Sequence, residues 1–223
     1  MKVSDIGEFK LIQRLHAIIK TRSVSPVWEE AGRHPLILDI GDDTAAWNTS
    51  EGIELCTTDT LVHGVHFTMR DATWREVGWK ALAVNYSDIA SMGGVPLYIL
   101  VSLGLPGETL VQDVEELYSG MVDLCEEYGG VIVGGDIVAS PVLFVTAAIT
   151  GCTEGSVMRR DAARLGDLVA VTGPLGTSSG GLRMLASGLW FDHETMQTLR
   201  EAHLRPRPCL VAGRILAQHG ICC

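Results

Sequence analysis

The order of the apolar segments constrains this chain more than any single motif does. Two short strand-like runs, Leu36–Ile40 and Ile53–Thr58, follow each other with no helical segment between them. A regular βαβ alternation puts a helix between successive strands, so a doubly wound parallel sheet does not fit. Farther on, the two element types mix. Residues 7–20 place Leu11, Ile12, Leu15, Ile18 and Ile19 on one helical face. Thr73–Met92 reads as a helix with Val77, Ala81, Val84 and Asp88 along one side, stopped by Gly93-Gly94-Val95-Pro96. Tyr98–Leu103 is a buried-strand run, and Glu108–Tyr128 is a helix ended by Gly129-Gly130. Val131–Val133 and the β-branched run Val142–Thr150 read as further strands. The predicted fold class is α+β, with a mixed α/β N-terminal domain.

After Gly151 the character of the chain changes. Cys152–Gly166 is polar, Leu168–Thr172 reads as a strand, and Gly173–Gly181 is a turn rich in glycine and serine. Helical stretches begin at Leu182, His193 and Cys209. A boundary near 150–155 divides the 223 residues into expected domains 1–151 and 152–223. The final residues read as entering a strand and then stop, which predicts a shortened reading frame and a partial second α/β domain.

A formal net charge of −10 disfavours a nucleic acid partner. An anionic ligand therefore needs divalent cations, backbone N–H groups or well-placed arginines. The six cysteines form no CxxC pair, and Met1–Lys20 lacks a hydrophobic signal core. Reduced thiols and a cytoplasmic location are expected. The uncharged stretches Ile89–Gly107 and Ile137–Thr153 are broken by Pro or Gly, so no membrane span is expected.

One pattern recurs at what read as element ends: Gly41-Asp42-Asp43, Thr57-Thr58-Asp59, Ser87-Asp88 and Gly134-Gly135-Asp136. Carboxylate and hydroxyl oxygens suit Mg²⁺, and adjacent glycines let a phosphate approach the backbone. Each Gly-Asp pair alone is ordinarily a turn. Repetition is what carries weight, because several such ends can converge on one edge. Asp88 adds to this: it stands late in a helix, where the macrodipole disfavours an anion by about 0.3–1 kcal/mol. It needs a cation, either a metal or a nearby Arg or Lys. His63 and His66 form an HxxH, but zinc requires a third and a fourth ligand, so one histidine contacting substrate or phosphate is the better reading. No GxxxxGK[ST] and no HRD or DFG set occurs. The Gly173–Gly181 segment stays open between a flexible turn and a phosphate cradle.

Taken in order, several blocks resemble the thiamine-monophosphate kinase family: Gly7-Glu8-Phe9-Lys10-Leu11-Ile12, Gly41-Asp42-Asp43, Thr57 to Val62 with His66-Phe67, and Lys80 to Gly94. Gly134-Gly135-Asp136, Arg159-Arg160-Asp161-Ala162, Gly166-Asp167 and Val171-Thr172-Gly173 continue the match. Aminoimidazole ribonucleotide synthetase and selenophosphate synthetase belong to the same superfamily. The resemblance implies Mg²⁺-dependent transfer of the ATP γ-phosphoryl to thiamine monophosphate. It implies Asp43, Thr57, Thr58, Asp59, Asp88 and Asp136 as metal-site positions. It further implies Gly135, Asp136, Arg160 and Tyr118 at ATP, His66 at the substrate, and a homodimer joined through the N-terminal sheets. No general base is assigned. The family's Asp-x-Ser-Asp-Gly segment is expected just after Gly220 and does not follow there, so weak or no turnover is expected of this chain. Two other readings accompany this one: a dimerising, nucleotide-binding remnant without catalysis, and a superfamily relative with a different acceptor.

Overall fold

The computed structural model describes residues 1–22, 29, 31–38, 40, 46–47, 52–154, 157–159 and 162–220. The chain opens with α1 (Val3–Thr21), kinked at Gly7, whose φ of 71° only glycine adopts readily. A 3-10 turn (Ala31–Arg33) and a small ribbon of β1 (Leu36–Leu38) and β2 (Ala46–Trp47) follow. The frame is then built from β3 (Ile53–Val62), α2 (Trp74–Ser91), β4 (Val95–Leu105), α3 (Val111–Tyr128), β5 (Val131–Ala139) and β6 (Phe144–Thr153). Three helices complete the chain: α4 (Thr177–Ser187), α5 (His193–Leu204) and α6 (Leu210–His219).

The main sheet has four strands in the order β3-β6-β4-β5. β4 and β5 are parallel and joined through α3, while β6 runs antiparallel to both β3 and β4. That mixture is the expected α+β class. Helices α2 and α3 pack on each other and on one face of the sheet, where Ile99, Val101, Leu103, Val145, Ala147 and Ile149 are fully or almost fully buried. The two helices meet nearly backbone to backbone. A Cβ on Gly78 would strike the Leu117 carbonyl, and one on Gly120 the Arg75 carbonyl. Asp123 accepts hydrogen bonds from Arg22 and Arg75, tying α1, α2 and α3 at one end.

Thr73 caps α2 reciprocally with Glu76, as a capping box should. Glu76 also receives Arg200 of α5 at 2.6 Å, and Arg200 donates to the Asp71 carbonyl at 2.7 Å. Trp79 of α2 donates to the Pro206 carbonyl at 2.9 Å, with the Arg205 guanidinium 4.4 Å from its ring centroid. Gly213 of α6 sits against the Ala90 backbone of α2. Residues beyond 152 thus dock on the helix that carries Asp88 in its last turn.

Three expectations need correction. β3 continues to Val62 and β5 to Ala139, so Thr57-Thr58-Asp59 and Gly134-Gly135-Asp136 lie inside strands rather than at element ends. The Gly-Gly pair makes a bulge instead of a turn: Ile99 pairs with Ile132 but Leu100 with Gly134, leaving Val133 as the extra residue. Leu168–Thr172 forms no strand, and Leu168 and Val169 are 95% and 98% exposed. A strand needs a neighbour to take its N–H and C=O groups, and among the described residues none pairs with this segment. Cys56, Cys125 and Cys209 are free thiols; Cys222 and Cys223 lie outside the described residues. Among the described residues no helix is long and apolar enough to cross a membrane.

Candidate functional site

Alternation along β3 decides which of its polar residues can meet α2. Leu55 and Leu61 are buried under the helices, so Thr57 and Asp59, at the same parity, share that side. Thr57 donates from Oγ1 to Asp88 Oδ2 at 2.7 Å, linking the strand to the last turn of α2. Thr58 turns to the other side and donates to the Ala147 carbonyl at 3.0 Å. Partial burial, and after it the negative charge of Asp88, push the Asp59 carboxyl above its usual range, while His66 pulls it the other way. Asp88 and His66 therefore both lie within electrostatic reach of Asp59.

His66 sits in the turn after β3. Its Nδ1 accepts the Val62 N–H at 3.0 Å, so the neutral ring carries its proton on Nε2. A ring held this way offers an N–H donor suited to a phosphate oxygen. His63 packs edge-on against Phe67, with centroids 5.6 Å apart, so the two imidazoles of the HxxH serve different contacts. Among the described residues no group of three or more His, Cys, Asp or Glu side chains able to hold a metal is found.

A cleft of about 550 Å³ opens beside this corner, lined by Cys56, Thr57, Ser87, Asp88, Met158 and Arg159 among others. The lining joins β3, the end of α2 and the segment after β6. Asp59 and Asp88, with the Thr57 hydroxyl, fit part of a divalent-cation site: the donors are hard oxygens, and like charge presses on Asp59. Asp136 does not join them. The register aligns Asp136 with Ser102, Thr146 and Thr60, whereas Asp59 aligns with Ala147, Val101 and Gly135. The two aspartates thus occupy opposite faces and opposite edges of the sheet. Gly135 allows β5 to lie tight on β4, since its φ is 154° and a Cβ would meet the Val101 backbone.

Tyr118 stands in the core on α3, 5% exposed, and burial raises its phenol pKa well above the usual value. It is not among the cleft residues. Asp43 and Arg160 lie outside the described residues. Sequence reasoning missed Met92 and Met158 as lining residues. The only signal for Met158 is its place before Arg159-Arg160 in the matched block.

Residues 41–153 match the family model for AIR synthase related protein, N-terminal domain. The chain is similar to the thiamine-monophosphate kinase of Aquifex aeolicus (strain VF5), 39% identical over 206 residues, covering 92% of this chain and 61% of that protein. It is 37% identical over 181 residues to the thiamine-monophosphate kinase of Bacillus subtilis (strain 168), covering 79% of this chain and 56% of that one. Among solved structures it resembles AaThiL complexed with AMPPCP and TMP, with a TM-score of 0.72 and 34% identity over 98% of this chain and 65% of that chain. The chain spans less than two thirds of the length of these relatives.

Proposed function

This chain belongs to the AIR synthase related protein family, and from that premise we propose that it serves the phosphorylation of thiamine monophosphate to thiamine diphosphate at the expense of ATP. The observation that carries the proposal is the Thr57–Asp88 hydrogen bond, which locks two of the family-like blocks together at the mouth of the cleft. The relative solved with AMPPCP and TMP supports the choice of substrates. Phosphoryl transfer asks mainly for alignment and charge neutralisation. The acceptor phosphate oxygen attacks the γ-phosphorus itself, so no protein nucleophile is required.

Asp59 and Asp88, with Thr57, would hold Mg²⁺, which when bound neutralises phosphate charge. The reading adds Asp43, Thr58 and Asp136 to the metal positions, and Gly135, Arg160 and Tyr118 to those at ATP. Arg159 lines the cleft, and a guanidinium there suits a phosphate. His66 offers its Nε2 proton to the acceptor. On this reading residues 1–151 form the metal- and nucleotide-binding domain and 152–223 belong to a second one. The active form is a cytoplasmic homodimer joined through the N-terminal sheets.

The test is formation of thiamine diphosphate and ADP from ATP, Mg²⁺ and thiamine monophosphate, by this chain and by one extended to the length of its relatives. The extended protein should turn over and should stop on chelation of the metal. Absence of product from it refutes the proposal. Calorimetric titration of the 223-residue chain with Mg-ATP separates binding from turnover.

A further inference from the structure

We propose that Lys80, His203 and Ser178 form a proton-operated latch, in which the neutral His203 ring holds the α4–α5 pair on α2 and its protonation releases the pair. The latch needs neither the metal nor the substrates named above. Glu76 and Lys80 lie four residues apart on α2, and Arg200 and His203 three apart on α5, so each pair shares one side of its helix. The two helices therefore meet at two points. At the first, Arg200 and Glu76 are of opposite charge, 2.6 Å apart. At the second, Lys80 Nζ lies 3.4 Å from His203 Nε2. An ammonium only donates, so Nε2 is the bare ring nitrogen and the proton sits on Nδ1. From there His203 donates to Ser178 Oγ of α4 at 3.2 Å. Backbone packing fixes the ring between the helices: a Cβ on Gly181 of α4 would lie 2.9 Å from the His203 Cβ and closer still to the Leu199 carbonyl oxygen. The polarity is opposite to that of a nucleophilic serine relay, in which the far ring nitrogen donates to a carboxylate. A cation takes that place here, so Ser178 is an acceptor and not a nucleophile.

Protonation reverses the second point and leaves the rest. With a proton on each ring nitrogen, Nε2 offers Lys80 no lone pair, and two cations stand 3.4 Å apart. No other charge is placed to relieve them. Lys80 is half-buried, and among the described residues no carboxylate pairs with it. On α2, Glu76 is engaged by Arg200, and Arg75 by Asp123. Arg183, the one charged residue of α4, is exposed and stands two positions from Gly181, on the side away from α5. On α5, Arg200 is held by Glu76 and the Asp71 carbonyl, Glu201 accepts from Gln197, and His193 and Glu194 lie at the far end of the helix. Burial, and after it Lys80, keep the proton off His203 in the docked state. The bond to Ser178 survives protonation, so α4 and α5 leave α2 together. Helices of 11 and 12 residues are marginal in water once undocked, which makes the release visible as amide exchange.

Amide hydrogen exchange of the 223-residue chain, read by mass spectrometry and corrected for the intrinsic pH dependence of exchange, tests the latch, with α3 peptides as the internal reference. The comparison is between about pH 7.5 and about pH 5.5, on either side of the value of about 6.5 at which an undocked imidazole charges. One unit below that value, a ring that charges only when undocked favours opening by about tenfold. Protection of α4 and α5 should therefore fall several-fold relative to α3, with about tenfold as the ceiling. His203→Gln, which cannot take up a proton, should abolish the fall. Lys80→Met, which keeps the length of the stem and removes the cation, should shrink it. A wild-type chain in which α4 and α5 lose no more protection than α3 overturns the latch, and so does a fall that persists in His203→Gln. Should His203→Gln dock too weakly to show protection at the higher pH, Lys80→Met decides, since a fall as large as in the wild type overturns the role of the paired cations.

Discussion

Replacing Gly78 by alanine sets two effects of opposite sign against each other. In a helix interior the change should stabilise by about 1 kcal/mol, through lower backbone entropy in the unfolded chain. The structure argues the other way. An alanine Cβ at Gly78 would lie 2.8 Å from the Leu117 carbonyl carbon and 3.2 Å from the Met121 nitrogen, and closer still to the Leu117 oxygen. Carbon atoms pack at about 3.5–4.0 Å, so α2 and α3 must part by about 1 Å. A gap of that size forfeits roughly a quarter to a half of each dispersion contact. The losses fall on the fully buried seam containing Val77, Val114, Leu117 and Met121. The obstacle is backbone, which no rotamer change can move aside. Overpacking of this kind costs about 1–3 kcal/mol and sometimes more. We expect a net destabilisation of about 2 kcal/mol, read as a urea midpoint about 1 M lower at unchanged slope. Gly120→Ala should act alike, and the double variant should lose less than the sum, because the helices are already apart. A midpoint that holds or rises for Gly78→Ala would show that α2 and α3 do not meet as described.

Three further outcomes follow from contacts described above. Arg200→Ala removes the ties to Glu76 and to the Asp71 carbonyl and should cost about 1–2 kcal/mol by urea denaturation, with α5 proteolysed faster; an unchanged midpoint refutes the clamp. Burial, and secondarily Lys80, hold the His203 imidazole below its usual 6.5, so its stabilising effect is complete above that value and declines as pH falls below it; His203→Gln should flatten that part of a melting-temperature profile. Asp59→Asn removes a carboxylate whose pKa is raised, chiefly by burial and then by Asp88, so without metal the variant should melt slightly higher at neutral pH, and a lower melting temperature would count against like-charge pressure at that corner.

Much of the frame was legible because it rests on local chemistry. The helix over 73–92 announced itself through the one-sided spacing of Val77, Ala81, Val84 and Asp88 and its Gly93-Gly94 stop, and its bounds hold to within a residue or two. The strands were found but cut short. Thr57, Thr58 and Asp59 look like the polar end of an apolar run, yet their N–H and C=O groups pair with β6 as regularly as those of Leu55. Pairing is a property of the neighbouring strand and leaves no mark on the residues themselves. The same reason explains Leu168–Thr172, which has the composition of a strand and no partner among the described residues. The convergence of Thr57 with Asp88 was legible as two motifs but not as a contact, since 31 residues separate them. The separation of Asp136 from Asp59 depends on strand order, which the sequence does not encode locally.

The extra residue at Val133 has a consequence in counting terms. Upstream of it, β5 sends Ile132 toward the helices; downstream, Gly134 is matched with Leu100 and Asp136 with Ser102. Remove Val133 and the bulge closes, with Gly134 still opposite Leu100 and Asp136 still opposite Ser102. Remove one residue after Gly134, with the bulge kept, and Asp136 falls opposite Val101, inside the apolar layer, while Ile137 falls opposite the exposed Ser102. The strand therefore behaves as a reading frame with odd and even phases beyond the bulge. Substitutions there change what a position offers, but such a deletion changes the side of the sheet on which everything after it is offered. The number of residues between Gly134 and Asp136 should be the least variable property of this segment, more so than any of the side chains that fill it.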